Sequence, residues 1–242
     1  MILWPQPDGS TIATPQPAHA IIAGQLMRAL ADRPEPFEPA VTAAIEHDCP
    51  WQSWEMAPEF DSATGLPRLF NSLSGDEHVP MWEQGVRMAL ANWGLLVGLL
   101  VMRHGSHIYR LGILGNRIAP SAISLAAMEG YMAREREQGA AIMARLGMTE
   151  AEVAALSAKL ALVDSIALSL CWGAQTFQCG PALLTRSGPY AATISPWPFD
   201  VPAISVATEA LHITAPFDSE TAMRAAWPDL PRRMLRFTLS AA

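Results

Sequence analysis

Apolar residues recur at helical spacing along the first two-thirds of the chain and switch to a period of two near its end. Residues 1–16 are turn-rich, with Pro5, Pro7, Asp8-Gly9 and Pro15, and suit a short hairpin around Asp8-Gly9. Ile21, Ile22, Leu26 and Leu30 then mark a helix that carries Pro17 and His19 in its first turn and stops at Asp32-Arg33-Pro34. A second helix is expected from Pro39 through Val41, Ala44 and Ile45 to His47 and Asp48, where Pro50 forces the exit. Residues 51–76 keep no period, and a connection of that length usually carries function or forms a lid.

The pattern resumes with a helix from about His78 to Ala91, capped near Asp76 and broken at Asn92-Trp93-Gly94. A strongly apolar helix follows and ends between His104 and Tyr109. Pro120 and Ser121 open a long helix to Leu146, and Thr149-Glu150-Ala151-Glu152 is a capping-box pattern that opens the last one. There Val153, Leu156, Leu160, Val163, Ile166, Ala167 and Leu170 lie on one face, which places the helix in the core. Asp164 interrupts this apolar body. Aspartate is a poor helix former, and a buried one needs a cation or hydrogen-bond donors.

After Gln175, prolines divide the chain into segments that alternate with period two: Ala192-Thr193-Ile194, Ile204 to Ala207, Leu211 to Thr214 and Leu235 to Leu239. The expected architecture is mainly α: a helical domain over 17–175, preceded by an extended segment or hairpin over 1–16. A small antiparallel β appendage over 176–242 packs on it, and the N-terminal hairpin can complete that sheet. The appendage is left with three roles, namely covering a site, supporting a homodimer or capping the helices.

With 242 residues, half of them hydrophobic, the chain has ample material for a core. A formal net charge of -7 and no basic run argue against nucleic acid or an anionic membrane as partner, leaving a small-molecule substrate. The longest apolar run, Trp93 to Met102, is about half of the roughly 20 residues needed to cross a bilayer. Cys49, Cys171 and Cys179 form no CxxC or paired framework, and no export signal is visible, so a cytoplasmic protein is expected.

Five of the six histidines fall in the helical part, each at or near a helix end. His47 and Asp48 point about 100° apart on a helix, so together they can flank a cavity and offer one nitrogen and one oxygen to zinc, iron, manganese or nickel. In chain order the candidates are His19, His47-Asp48, His78, His104 and Asp164. Each has a plainer reading: His19 caps its own helix, and His78 sits by a loop beside Asp76 and Glu77. His107, three residues after His104, either replaces an intermediate histidine, orients a ligand from behind, or lines the substrate pocket with Trp51, Trp54 and Asp61. The two tryptophans otherwise serve packing, and Asp61 and Glu55 are either solvated loop acids or bases placed behind the ligands. His212 alternates with apolar neighbours and reads as surface.

That order resembles the signature of the HD-domain superfamily of helical metalloenzymes: a histidine, a His-Asp doublet on the next helix, and a distant helical aspartate. Members with two metals insert two histidines between doublet and final aspartate. The resemblance covers residues 16–175 and implies an HD-like helical bundle with His19, His47, Asp48 and Asp164 as the core ligands and His78 and His104 for a second ion. One or two divalent transition metal ions (Fe, Mn, Ni or Zn) are then the expected cofactor. The implied activity is hydrolysis of a small phosphoester by a metal-bound hydroxide, with Asp48 bridging two ions, Glu55 as a nearby base and Arg103 steadying phosphate. Arg110 and Arg68 are alternatives, because the lysine that many such hydrolases place after the doublet is replaced by Pro50 and Trp51. A branch of the superfamily uses the same six-ligand order to hold two irons that activate dioxygen, so an oxygenase acting on an organic substrate is the rival reading. A non-catalytic binding module is the third.

A nearer resemblance is to the bacterial family catalogued as domain of unknown function 3891. It rests on Gln16-Pro17-Ala18-His19-Ala20 with Gly24, His47-Asp48 with Trp51 and Trp54-Glu55, Pro58 with Asp61 and Gly65-Leu66-Pro67. Further along it rests on Leu96 to His104 with Tyr109, Asp164 to Cys171, and Pro196-Trp197-Pro198-Phe199. The chain departs from that pattern at Cys49-Pro50, where the family tends to carry Asp-Gly.

Overall fold

A computed structural model describes residues 1–114 and 120–242. Strands β1 (Ile2–Pro5) and β2 (Thr11–Thr14) form the hairpin expected at Asp8-Gly9, where the Asp8 carboxylate accepts the N–H and O–H of Ser10 at 3.0 and 2.6 Å. Helix α1 (Gln16–Ala29) begins with Pro17 in its first turn, and α2 (Phe37–Glu46) ends at His47. Pro50 cannot continue the helix, so Cys49–Trp51 tighten into a 3-10 turn that runs into the short α3 (Gln52–Glu55). The two-residue strands β3 (Phe60–Asp61) and β4 (Leu66–Pro67) make a small hairpin in the long connection.

Helix α4 (Gly75–Asn92) starts earlier than its apolar pattern suggests, because Ser74 and Glu77 form a reciprocal capping box. It is followed by α5 (Leu95–Leu114), by α6 (Ala122–Leu146), capped by Ser121 and closed by Gly147, and by α7 (Glu150–Trp172). The Thr149–Glu152 capping box opens α7 as expected, and Gly173 ends it. By length and composition α7 could also cross a bilayer. Here it packs on α1, α5 and β1, burying Val153, Leu156, Leu160, Val163, Ile166 and Leu170 as a core helix.

The expectation of a mainly helical, HD-like bundle with a small C-terminal antiparallel appendage is overturned. The chain is 54% helix and 22% strand, with a curled, mixed sheet of seven strands. After the hairpin come β5 (Thr176–Cys179), β6 (Ala182–Gly188), β7 (Ala191–Ser195), β8 (Ala203–Ile213) and, beyond the short α8 (Glu220–Ala226), β9 (Arg232–Ala241). They lie in the order β1-β2-β8-β9-β7-β6-β5, with β7 and β9 parallel and the other pairs antiparallel. Ile204 to Ala207 and Leu211 to Thr214 look like separate short strands, yet Thr208-Glu209-Ala210 keeps the same alternation. The result is one 11-residue strand that holds β9 along its length. Strands from both ends of the chain thus close a single sheet. Helix α1 lies between that sheet and the other helices, touching β8 on one side and α2 and α7 on the other. Its buried Ile22 and Leu26 join Leu160, Ile166 and Phe237 in one continuous core.

Candidate metal centre

Helices α1, α2, α5 and α7 bring five of the six expected ligands together. In the first turn of α1, His19 turns Nδ1–H onto the Gln16 carbonyl at 2.6 Å; at the end of α2, His47 does the same with the Ala44 carbonyl at 2.8 Å. A carbonyl can only accept, so each ring, when neutral, carries its lone pair on Nε2. Both Nε2 atoms then face one atom, Asp164 Oδ1, at 3.0 and 3.1 Å. Two lone pairs and a carboxylate oxygen repel one another at that spacing unless positive charge sits among them, either a proton on a ring or a metal ion.

The other donors close in from the sides. Asp48 Oδ2 lies 3.4 Å from His19 Nδ1 and 3.7 Å from His47 Nε2, and His104 Nε2 lies 3.7 Å from Asp164 Oδ2. His19, His47 and Asp164 form one group with ligand atoms all within 4.8 Å of each other; His47, Asp48 and His104 form a second, sharing His47. The rings of His19 and His104 stand nearly perpendicular to that of His47, with centroids 5.2 and 4.8 Å away. Three imidazoles and two carboxylates suit a divalent transition ion, and the two carboxylates balance its charge.

Local structure holds this arrangement. After Asp48 the chain is pinned by close packing of Pro50 on Gly85 of α4, where an added Cβ would stand 2.4 to 2.6 Å from three Pro50 atoms. Pro50 has room there because the facing helix carries a glycine. Burial is nearly complete for His19, His47, Asp48 and His104, while the Asp164 side chain is 16% exposed. The cluster therefore meets solvent at Asp164.

Charge is split within the cluster. Burial opposes ionisation of Asp164, but hydrogen bonds from His19 and His47 outweigh it and hold the carboxyl well below its usual value. Burial pushes Asp48 up. For His47 burial is again the largest influence and lowers it, yet Asp48 and Asp164 together raise it to about 9. His78 and His104 are pushed down by burial to about 4 and about 3.

These shifts give the metal-free protein a bell-shaped stability. Below pH 6.5 the unfolded chain takes up protons that folded His78 and His104 refuse, so stability falls toward pH 4 with a slope approaching about 3 kcal/mol per pH unit for two groups. Asp48, raised by burial, offsets part of that slope. The His47 contribution runs the other way: it is complete below 6.5 and lost as pH rises toward 9. Urea melts of the metal-free protein should peak near pH 6.5; stability that keeps rising from pH 6.5 to 9 contradicts the His47 assignment.

The remaining sequence candidates lie elsewhere. His78 is in neither group; its Nδ1 is 2.8 Å from the Tyr109 hydroxyl, and its ring stacks on Trp82 and packs against Trp51. Glu55 sits behind His19, its two oxygens taken by the Met1 amine at 3.0 Å and the Gln16 N–H at 2.7 Å. Arg103 turns away to Glu150, with both guanidinium contacts at 2.6 Å, and toward Glu135. Arg110 also reaches Glu135, and Arg68 ties Glu59 to Glu77. Asp61 closes its own turn by accepting from Ala63 and Thr64. Trp51 is buried against Trp54 and Phe70, and Trp54 donates to Glu59. His212 is half-buried on β8. His107 lies beside the centre, its ring 6.4 Å from that of His104 and inclined by 27°.

Sequence reasoning missed Trp82, the indole that touches both His78 and His104. Its signal was present, since it stands four residues after His78 on the same helical face.

No curated protein and no solved structure matches the chain. The family model described as "Protein of unknown function (DUF3891)" matches residues 1–215, a span that takes in every member of the His-Asp cluster and the sheet as far as β8. The chain belongs to the DUF3891 family.

Proposed function

We propose that the chain is a metal-dependent hydrolase of the HD type, acting on a small phosphoester. The observation that carries this reading is the convergence of two carbonyl-locked histidines on one oxygen of Asp164, with Asp48 and His104 beside them. The ligand order is that of the HD superfamily, although the seven-stranded sheet is not part of what that resemblance implied. Bound among these donors, a divalent ion supplies Lewis acidity and makes a water it carries more acidic. His19 and His47 present lone pairs, Asp48 and Asp164 balance the charge, and the surrounding core excludes bulk water from all but the Asp164 side. The reading takes one ion: the second would need His78, which stands outside both groups.

The test is elemental analysis of protein purified without chelator, followed by turnover of a panel of p-nitrophenyl phosphate mono- and diesters. About one transition ion per chain, with hydrolysis lost to a chelator and restored by metal, is the expected outcome. One observation favours the oxygenase as second reading. Arg103, Arg110 and Arg68 are all engaged by carboxylates, while Trp51, Trp82 and His78 make an aromatic wall beside the centre. Metal-loaded protein that hydrolyses none of the panel, but consumes dioxygen when iron is bound, would decide for that reading.

A further inference from the structure

The histidines in and around the centre divide by what their nitrogens are doing. His19, His47 and His78 each have Nδ1 held, by the Gln16 carbonyl, the Ala44 carbonyl and the Tyr109 hydroxyl. His107 makes no hydrogen bond to any described residue, and it is half-buried rather than solvated. It follows His104 by three positions on α5, so the two side chains share a helical face. The inclination of 27° between their rings shows that shared face directly. Asp164 is the one member of the cluster with appreciable exposure, and His107, its ring 6.4 Å from that of His104, is likewise only half-buried, so both offer polar atoms where the centre meets solvent.

Arg103 adjoins His104 in sequence, but neighbouring helical residues diverge by about 100°. Its guanidinium is spent on Glu150 and Glu135. Arg110, the next cation along α5, is turned to Glu135. The described positive charges of this helix thus face α6 and the start of α7, whereas the His107 ring lies 6.4 Å from that of His104.

We propose that His107 is the residue that holds the substrate's phosphate beside the metal, its ring N–H donating to a phosphate oxygen on the Asp164 side of the cluster. This rests on the metal-hydrolase reading and adds to it a specificity residue and a ligand chemistry, the phosphate oxygen. A neutral imidazole N–H is a weaker anchor than arginine. The site would then favour a phosphate group that carries part of its charge balance on the metal and needs one directional donor besides.

The experiment uses the full chain loaded with cobalt(II), whose visible spectrum reports both metal occupancy and anion binding. Inorganic phosphate is the probe. In His107→Ala, cobalt affinity should stay within about twofold of wild type while phosphate affinity falls about tenfold, the value of one hydrogen bond to a charged oxygen. His107→Gln keeps an N–H donor and should recover most of the loss, a rescue that a merely structural role would not produce. Equal phosphate affinity in wild type and His107→Ala overturns the proposal, as does cobalt-loaded wild type that shows no phosphate response. Failure of the underlying reading looks different: wild type would then take up no more cobalt than His47→Ala does.

Discussion

With a metal held by the His-Asp cluster as proposed, replacing His47 or Asp164 by alanine should strip it from the protein, to below about a tenth of wild-type occupancy, while far-UV circular dichroism keeps its helical signal. Binding free energies of about 10–16 kcal/mol for four-ligand structural zinc sites come to about 3 kcal/mol per donor, a factor on the order of 100 in affinity for each ligand removed. Asp164→Ala removes the oxygen on which both Nε2 atoms converge, so its effect should be at least as large as that of His47→Ala. The two variants differ in a way that separates metal loss from collapse. Asp164 lies inside α7, where alanine is the better helix former by about 0.7 kcal/mol. Its loss removes the hydrogen bonds from His19 and His47 but also the cost of burying the carboxylate, so Asp164→Ala should melt only modestly below metal-free wild type. His47, fully buried, leaves a cavity and should melt lower. His212→Ala, on the sheet, should keep full metal. Inductively coupled plasma analysis after dialysis reads all three; full occupancy in both His47→Ala and Asp164→Ala refutes the centre.

Much of the cluster was legible in the sequence because His19, His47 and Asp48 sit where helices begin and end, and such positions can be placed to within a turn; His104 instead lies in the middle of α5, which runs on to Leu114 rather than ending between His104 and Tyr109. Pro17 dates the start of α1 and puts His19 in its first turn; Pro50 dates the end of α2 and puts His47 and Asp48 at its exit. Asp164 was legible for the opposite reason, as a charged residue where apolar periodicity leaves no place for one. Side-chain direction was harder to read. Arg103 was a poor choice for the centre on helical geometry alone, since His104 already faces it. The turning of His78 to Tyr109 depends on how α4 and α5 cross, which no local pattern records. The sheet was misjudged because its strands are local signals with non-local partners. β2 finds β8 across about 200 residues, and the parallel pairing of β7 with β9 needs β8 laid down between them in the chain but beyond them in the sheet.

Trp82→Ala should lower stability by about 3–5 kcal/mol, the range for truncating a fully buried large aromatic. The indole is entirely enclosed between α4 and α5, with its N–H donating to the Val101 carbonyl at 3.1 Å. It stacks on His78 with ring centroids 4.9 Å apart and 26° between planes, and leans on His104 at 5.9 Å. Opposite it stands Gly105, where an added Cβ would fall 2.4 Å from the indole nitrogen, so α5 approaches α4 closely only because that position has no side chain. Alanine at 82 removes the surface on which His104 rests, and the ring gains room to swing out of the cluster. Metal affinity should therefore fall together with stability. Trp82→Phe keeps an aromatic face for both histidines and forfeits mainly the N–H bond, about 1 kcal/mol, so its metal affinity should stay near wild type. Urea melts of the metal-free variants read the first effect and competition with a chromogenic chelator reads the second. If Trp82→Ala lost stability but bound metal as tightly as Trp82→Phe, His104 would be held by its own helix, and the indole would serve the core without supporting the centre.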